Sequence, residues 1–340
     1  MIKKEEVFVN ESHWRNMDDQ ELVSFREKIF HYYRETGFPY YPTDMESRKK
    51  DFLTLLNYDH SKIIDGDIIK QTMHGLGLAW SYFPHAFDVP CNDKMTPLQA
   101  FNDDDIFRKV IDKRLKIGTY MSDSGIRKML KMYTGVQAVS NFRPTAAAAI
   151  YDRYAPNGYV WDMSGGWGGR LLGAITSSVK MYVATEPSSK SISGLKTMID
   201  HFGFFGKRFS LMMAGSEQYI PLPEFYDLCF TSPPYFDLEK YADEDSQSYK
   251  KFNSREVWVE GFLKKTFENC YMALKPNGHM IINIADPKKK KEISLEQATL
   301  DKAKEVGFTY VETLKLALSS PNMRNRESAF KYEPVFVFKK

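Results

Sequence analysis

The feature that most constrains this chain is a change of rhythm at about Tyr159. From there onward, short apolar runs alternate with segments of helical period, the pattern of a parallel sheet covered by helices. Strands are predicted over Tyr159–Asp162, Lys180–Glu186, Phe209–Met213, Tyr226–Ser232, His279–Ala285, Thr309–Leu318 and Pro334–Phe338. Helices are predicted over Arg170–Ser178, Ser188–Phe204, Arg255–Leu274 and Ser294–Val306. The last two strands have no clear helix between them and are expected to pair as an antiparallel hairpin. Residues 1–134 lack the alternation. They read as mainly helical, with segments near Asp18–Glu35, Asp103–Leu115 and Ser124–Tyr133, the last behind a capping run Ser122-Asp123-Ser124. The expected organisation is a helical domain over 1–134 and a Rossmann-like α/β domain of about seven strands over 135–340.

Two segments of the α/β part carry chemistry. In the first, the strand Tyr159–Asp162 runs into Met163-Ser164-Gly165-Gly166-Trp167-Gly168-Gly169, which opens a helix. Glycines let a backbone approach a ligand closely, and a helix N-terminus favours negative charge. The next strand ends at Glu186, 24 residues after Asp162. A carboxylate there can accept both hydroxyls of a ribose, so the pair points to an adenosine-bearing cofactor, a dinucleotide included.

The second segment is Ser232-Pro233-Pro234-Tyr235, at the end of the fourth strand of the series. Consecutive prolines cannot continue a sheet and form a rigid elbow. The elbow falls at the carboxyl edge, where ligands bind in open α/β sheets. The Ser232 hydroxyl and the Pro233 carbonyl become two acceptors in fixed positions, matching the two donors of an exocyclic amine. Tyr235 offers a face for a planar base. No strong base is needed at first, because the amine loses its proton as a methyl group arrives. Alignment of nitrogen, methyl carbon and sulfonium sulfur is the main requirement.

Together, Asp162–Gly169, Glu186 and Ser232–Tyr235 resemble the amino-methyltransferases of DNA modification, which act on adenine N6 or cytosine N4. The resemblance spans roughly residues 140–340. It includes Asn141-Phe142-Arg143-Pro144-Thr145 before the glycine turn, Leu274-Lys275-Pro276-Asn277-Gly278, and the terminal Glu333–Phe338. It implies a methyltransferase sheet, S-adenosylmethionine as cofactor and a flipped base held at Ser232, Pro233, Pro234 and Tyr235. Cofactor contacts are implied at Asn141, Arg143, Pro144, Thr145, Asp162, Ser164, Gly166, Gly168, Glu186 and Thr231. A Ser at the first position of the Pro-Pro motif is more usual in cytosine-N4 enzymes. Three positions depart from the pattern. Ser164 stands where Phe is frequent, and Trp167 where a small residue is frequent. Gly215-Ser216-Glu217 stands where an Asp often meets adenine, leaving Ser216 and Glu217 as alternatives.

Only 69 residues separate Asp162 from Thr231, which leaves no room there for a recognition domain. Substrate recognition is therefore expected from residues 1–134, from the acidic loop Asp237–Asn253, or from a partner. The net charge of +3 does not by itself imply nucleic acid. Its distribution is more telling: residues 1–134 hold 20 basic against 21 acidic side chains, yet Arg108–Lys131 holds eight basic against two acidic. Such a stripe can track phosphates. Arg127, Lys128 and Lys131 would share one side of a helix there. Lys288, Lys289, Arg324 and Arg326, on loops at strand ends, are the other candidate DNA contacts. DNA is the expected partner, with RNA or protein-amide methylation and a non-catalytic nucleic-acid-binding subunit as alternatives. Three unpaired cysteines argue against a zinc site or a disulfide framework and suit a reducing cytoplasm. The start carries no apolar signal core, no run reaches membrane-spanning length, and no histidine spacing suggests a metal.

Overall fold

The computed structural model describes residues 2–203, 206–236, 240–241, 244–286, 293–318 and 330–340. The chain divides into two compact units. One comprises Met1–Tyr41 with Pro84–Ser140, the other Pro42–Phe83 with Asn141–Lys340. A single cut at 134/135 therefore does not describe the chain, because residues 42–83 pack with the sheet.

The sheet has nine strands: β1 Ile64–Asp65, β2 Ile68–Ile69, β3 Tyr159–Asp162, β4 Met181–Thr185, β5 Arg208–Met212, β6 Tyr226–Thr231, β7 Leu274–Asn283, β8 Thr309–Ala317 and β9 Tyr332–Lys339. Their order is β1-β2-β8-β9-β7-β6-β3-β4-β5. Strands β5, β4, β3, β6 and β7 run parallel. β9 inserts antiparallel between β7 and β8, closing the expected hairpin. This is the α/β methyltransferase sheet. The two strands beyond the expected seven come from residues 64–69, with β2 running parallel along β8. At two residues each they are too short to carry an alternating pattern.

The chain proceeds from β3 outward through β4 and β5, then returns to place β6 on the other side of β3. Strand order reverses between β3 and β6, and the crevice outside their carboxyl ends is the ligand position of such sheets. Val160, Trp161, Leu228, Cys229 and Phe230 at this centre are all buried, as expected for strands covered on both faces. The predicted helix Arg255–Leu274 is interrupted by a π-helical stretch, Val259–Lys264. A helix outside the predicted set, Pro144–Tyr154, has Pro144 in its first turn, where a missing N–H costs nothing.

The other unit packs the helices Asp19–Thr36, Pro97–Asn102, Asp104–Ile117 and Asp123–Lys131 around an aromatic core that includes Trp14, Phe25, Phe30, Tyr33, Phe101 and Phe107. Asp18, Thr96, Asp103 and Ser122 each cap one of these helices through a side-chain oxygen.

Arg127, Lys128 and Lys131 do not form one exposed stripe. Arg127 is only 7% exposed. Its guanidinium donates to the carbonyls of Pro39 (2.7 Å) and Tyr40 (3.3 Å) and lies 3.9 Å from the Tyr41 ring centroid. The cause is the helix face itself: Ile126, Met129 and Leu130 turn inward and carry Arg127 with them. Lys131 is half-buried, its ammonium 5.2 Å from the Phe87 ring centre. Of the three, only Lys128 is exposed. Arg108 is likewise engaged, donating to Glu27 at 3.1 Å across the Phe30 face. The exposed cations of the stripe are Lys109, Lys116 and Lys128.

Candidate active site

The turn after β3 is built by its glycines. Gly166 and Gly168 have φ of +56° and +74°, a region that favours glycine. At Gly169 a Cβ would stand 1.9 Å from the Phe142 carbonyl oxygen, so only glycine lets the segment 141–145 lie against the turn. Asn141 secures that approach by donating from Nδ2 to the Trp167 carbonyl at 2.9 Å. The Thr145 hydroxyl is buried and shares a 2.7 Å hydrogen bond with Thr72. Pro144 is buried at the helix start, and Arg143 precedes it as the N-cap residue.

Trp167 has its own socket. The ring is 6% exposed, with centroid distances of 6.0 Å to Trp80, 5.8 Å to Phe83 and 5.8 Å to Tyr241. Residues 42–83 supply two of these three rings. That accounts for a large residue between the two key glycines.

Glu186 leaves β4 and turns back to the glycine turn. One carboxylate oxygen accepts from the Gly166 N–H and the other from the Ser188 N–H, both at 2.9 Å. Burial pushes its pKa up to about 7, against the downward pull of those two N–H donors. Among the described residues no cation bonds to it, Arg170 acting only through space, and each oxygen keeps acceptor capacity for a further donor. This is the chemistry that suits a ribose diol.

At Gly215–Glu217 the alternatives separate. The Ser216 hydroxyl is buried and bonded to Thr266 Oγ1 at 2.7 Å. The Glu217 side chain is only 6% exposed. One of its oxygens accepts from Lys251 Nζ at 2.8 Å. The other, Oε2, is buried without a partner among the described residues. Glu217 is thus the residue with a free acceptor. It also explains Gly215, where a Cβ would stand 2.2 Å from that oxygen.

Asp162 is different. It is fully buried, and its carboxylate accepts from Arg170 Nε (2.8 Å), Tyr182 Oη (2.7 Å), Thr231 Oγ1 (3.0 Å) and the Ser164 N–H (3.2 Å). Arg170 also donates to the Ser164 carbonyl. Four donors fill both oxygens, so neither Asp162 nor the Thr231 hydroxyl is presented to a ligand.

Ser232–Tyr235 emerges from the carboxyl end of β6, beside β3. Pro233 is buried, whereas Ser232, Pro234 and Tyr235 are half-buried. Phe236 follows at φ +57° and packs near Trp258. The described part of the acidic loop returns toward the cofactor motifs. Glu244 accepts from the Ser189 N–H and hydroxyl at the N-terminus of helix Ser189–Phe202, where a negative charge is favoured. Ser246 donates to the Pro187 carbonyl at 3.1 Å. Lys288, Lys289, Arg324 and Arg326 lie outside the described residues.

Residues 226–340 match the family model of the N6/N4-type DNA methylases. That segment opens with β6, holds Ser232–Tyr235 and ends with the hairpin; the glycine turn lies before it. No curated protein matches the chain in sequence. Among solved structures, it resembles the 1,6-didemethyltoxoflavin-N1-methyltransferase of Burkholderia thailandensis at 12% identity and a TM-score of 0.39, over 57% of this chain and 76% of that one. It resembles the S-adenosylmethionine-dependent O-methyltransferase of Thermotoga maritima at 14% and 0.40, over 59% and 67%. For the magnesium protoporphyrin IX methyltransferase of Synechocystis PCC 6803 the values are 14% and 0.39, over 58% and 77%. The fold rests on the strand order above, not on these distant likenesses. Strand order and family match together support methyl transfer from S-adenosylmethionine. No helix among the described residues is long and apolar enough to cross a membrane.

Proposed function

We propose that the chain methylates the exocyclic amino group of a base in DNA, with cytosine N4 ahead of adenine N6. The observation that carries this reading is the pairing of two loops at the β3–β6 reversal, a glycine turn with a buried acceptor carboxylate on one side and Ser232-Pro233-Pro234-Tyr235 on the other. Glu186 takes the ribose hydroxyls, Glu217 is the candidate for the adenine amine, and Gly166 and Gly168 bring backbone close to the methionine part. When bound, S-adenosylmethionine supplies an electrophilic methyl group.

The base is flipped out of the stack, because its amine cannot reach this crevice inside a duplex. The Ser232 hydroxyl and the Pro233 carbonyl accept the two amine hydrogens and turn the nitrogen lone pair away from the ring. Tyr235 stacks on the base. Ser232 sets the preference for cytosine. Phosphate contact falls to Lys109, Lys116 and Lys128 of the helical unit.

The test is incubation with labelled S-adenosylmethionine and either DNA or RNA, followed by digestion to nucleosides and mass spectrometry. N4-methylcytosine in DNA is the expected product. N6-methyladenine alone would reverse the order of bases. Label only in RNA or in protein would move the substrate, and C5-methylated cytosine alone would end the amine mechanism.

A further inference from the structure

We infer that Asp162, Thr231, Arg170 and Tyr182 form a positioning network that sets the opening between the glycine turn and the Ser-Pro-Pro-Tyr loop. This rests on the reading of the crevice given above. The backbone register between β3 and β6 runs through Val160 opposite Leu228 and Trp161 opposite Cys229. Past that point the strands lead into the two active loops. Asp162 is the last residue of β3, and Thr231 is the last of β6 and the immediate neighbour of Ser232. The 3.0 Å bond from the Thr231 hydroxyl to Asp162 Oδ1 therefore joins the two strand ends where the crevice begins.

The other end of the same carboxylate is held with equal care. Arg170, on the helix that follows the glycine turn, spans from Asp162 Oδ2 to the Ser164 carbonyl and so laces the turn to its own strand. Tyr182 adds a donor from β4. Asp162 and Arg170 are 0% and 6% exposed, so the ion pair is shielded from water and salt. A buried polar network with every acceptor filled fixes one geometry, and removing one member leaves a group unsatisfied. Three strands and one helix converge on one carboxylate that offers nothing to a ligand. In this network Thr231 is a positioning residue: it acts on transfer through Ser232, not by touching base or cofactor.

The variant that isolates this role is Thr231→Val, which keeps the branched shape and removes only the hydroxyl. The expected result is a single-turnover transfer rate lowered about 10–100-fold, the penalty of roughly an ångström of misplacement. The Kd for S-adenosylmethionine, measured by calorimetry, should stay within about twofold, and Thr231→Ser should restore the rate. Hydrogen exchange gives a readout independent of any substrate: Thr231→Val should speed exchange both at 162–166 and at 231–236. Tyr182→Phe keeps the bond between strand ends and should speed exchange at 162–166 only. If Thr231→Val does not fold, Thr231→Ala is read in the same way. A wild-type rate in the variant, an exchange change confined to 231–236, or a cofactor affinity that falls as far as the rate would each overturn the network. Wild-type protein that transfers no methyl to DNA would instead refute the substrate reading and leave the exchange test standing.

Discussion

Cofactor affinity should depend on pH through Glu186, and the dependence can be worked from the structure. The carboxyl is buried against two N–H donors with no cation bonded to it among the described residues, and its pKa stands at about 7. Its folded pKa is raised, so in the free protein its contribution to stability is present below the ordinary carboxylate range and is lost as pH rises through about 7. Ribose hydroxyls are donors and bond more strongly to the ionised form. Binding should therefore tighten as pH rises, approaching a plateau above about 7. Below that, affinity should fall by about tenfold per pH unit, or about thirtyfold between pH 8.5 and 5.5. Glu186→Gln removes both the charge and the titration. Each charge-assisted bond is worth on the order of 1.5–3 kcal/mol, so the variant should bind at least about tenfold more weakly at pH 8 and show a flatter profile. Calorimetric titration of S-adenosylmethionine into both proteins between pH 5.5 and 8.5 measures this. Parallel profiles in wild type and Glu186→Gln would remove Glu186 from the cofactor site.

Other perturbations separate surface from interior. Lys109, Lys116 and Lys128 changed together to Ala should lower the slope of DNA affinity against salt by about one unit per lost phosphate contact, with no loss of stability. Arg127→Ala should instead cost on the order of 2–4 kcal/mol in denaturant unfolding, because the buried Pro39 carbonyl, the partly buried Tyr40 carbonyl and the Tyr41 ring lose their cation. Trp167→Ala should empty the socket under the glycine turn and cost about 3–5 kcal/mol by the same measurement. The His60 ring nitrogen lies 2.5 Å from Asp152 Oδ2, and that bond raises the His60 pKa. Burial pulls Asp152 upward, but bonds from His60 and Ser178 hold it at about 2. His60 contributes below about pH 6.5 and loses its contribution as pH rises through its raised pKa. Asp152 contributes above about pH 4 and loses its contribution toward pH 2. Wild type minus His60→Gln stability, followed by thermal unfolding against pH, should peak between those limits; a flat difference would refute the pairing.

The α/β half was legible because its signals are local. Six of its strands begin and end within two residues of their predicted bounds, β7 starts at Leu274 where His279 was expected, and the hairpin follows from a missing helix between two apolar runs. Strands β1 and β2 were not legible, being two residues each, with β1 held by β2 and β2 in turn by the sequence-distant β8. The division into units was hidden for the same reason. Residues 42–83 join the sheet through contacts such as the stacked Phe52–Phe202 pair and the 2.7 Å Thr72–Thr145 bond, and none leaves a periodic trace. Arg127 shows a related limit. Its charge suggests a surface, but its place beside Ile126 and Leu130 on a short helix decides otherwise.

At the site, a motif marks a place in the fold more reliably than it assigns work to each atom there. Glu186 and Asp162 are both acids at the carboxyl ends of neighbouring strands, and spacing alone treats them alike. The difference lies in their partners. Glu186 accepts from two backbone donors and, among the described residues, bonds to no cation, which leaves a half-satisfied acceptor beside a glycine cradle. Asp162 meets Arg170, Tyr182, Thr231 and the Ser164 N–H, which leaves nothing over. Arg170 and Tyr182 could not be read as its partners in advance, because one is eight residues away on a helix and the other twenty away on the next strand. Glu217 against Ser216 follows the same rule, since the hydroxyl is consumed by Thr266 and one carboxylate oxygen is not. Unused hydrogen-bonding capacity in a buried position, rather than residue type, separates the groups that can meet a ligand from those that hold the crevice open.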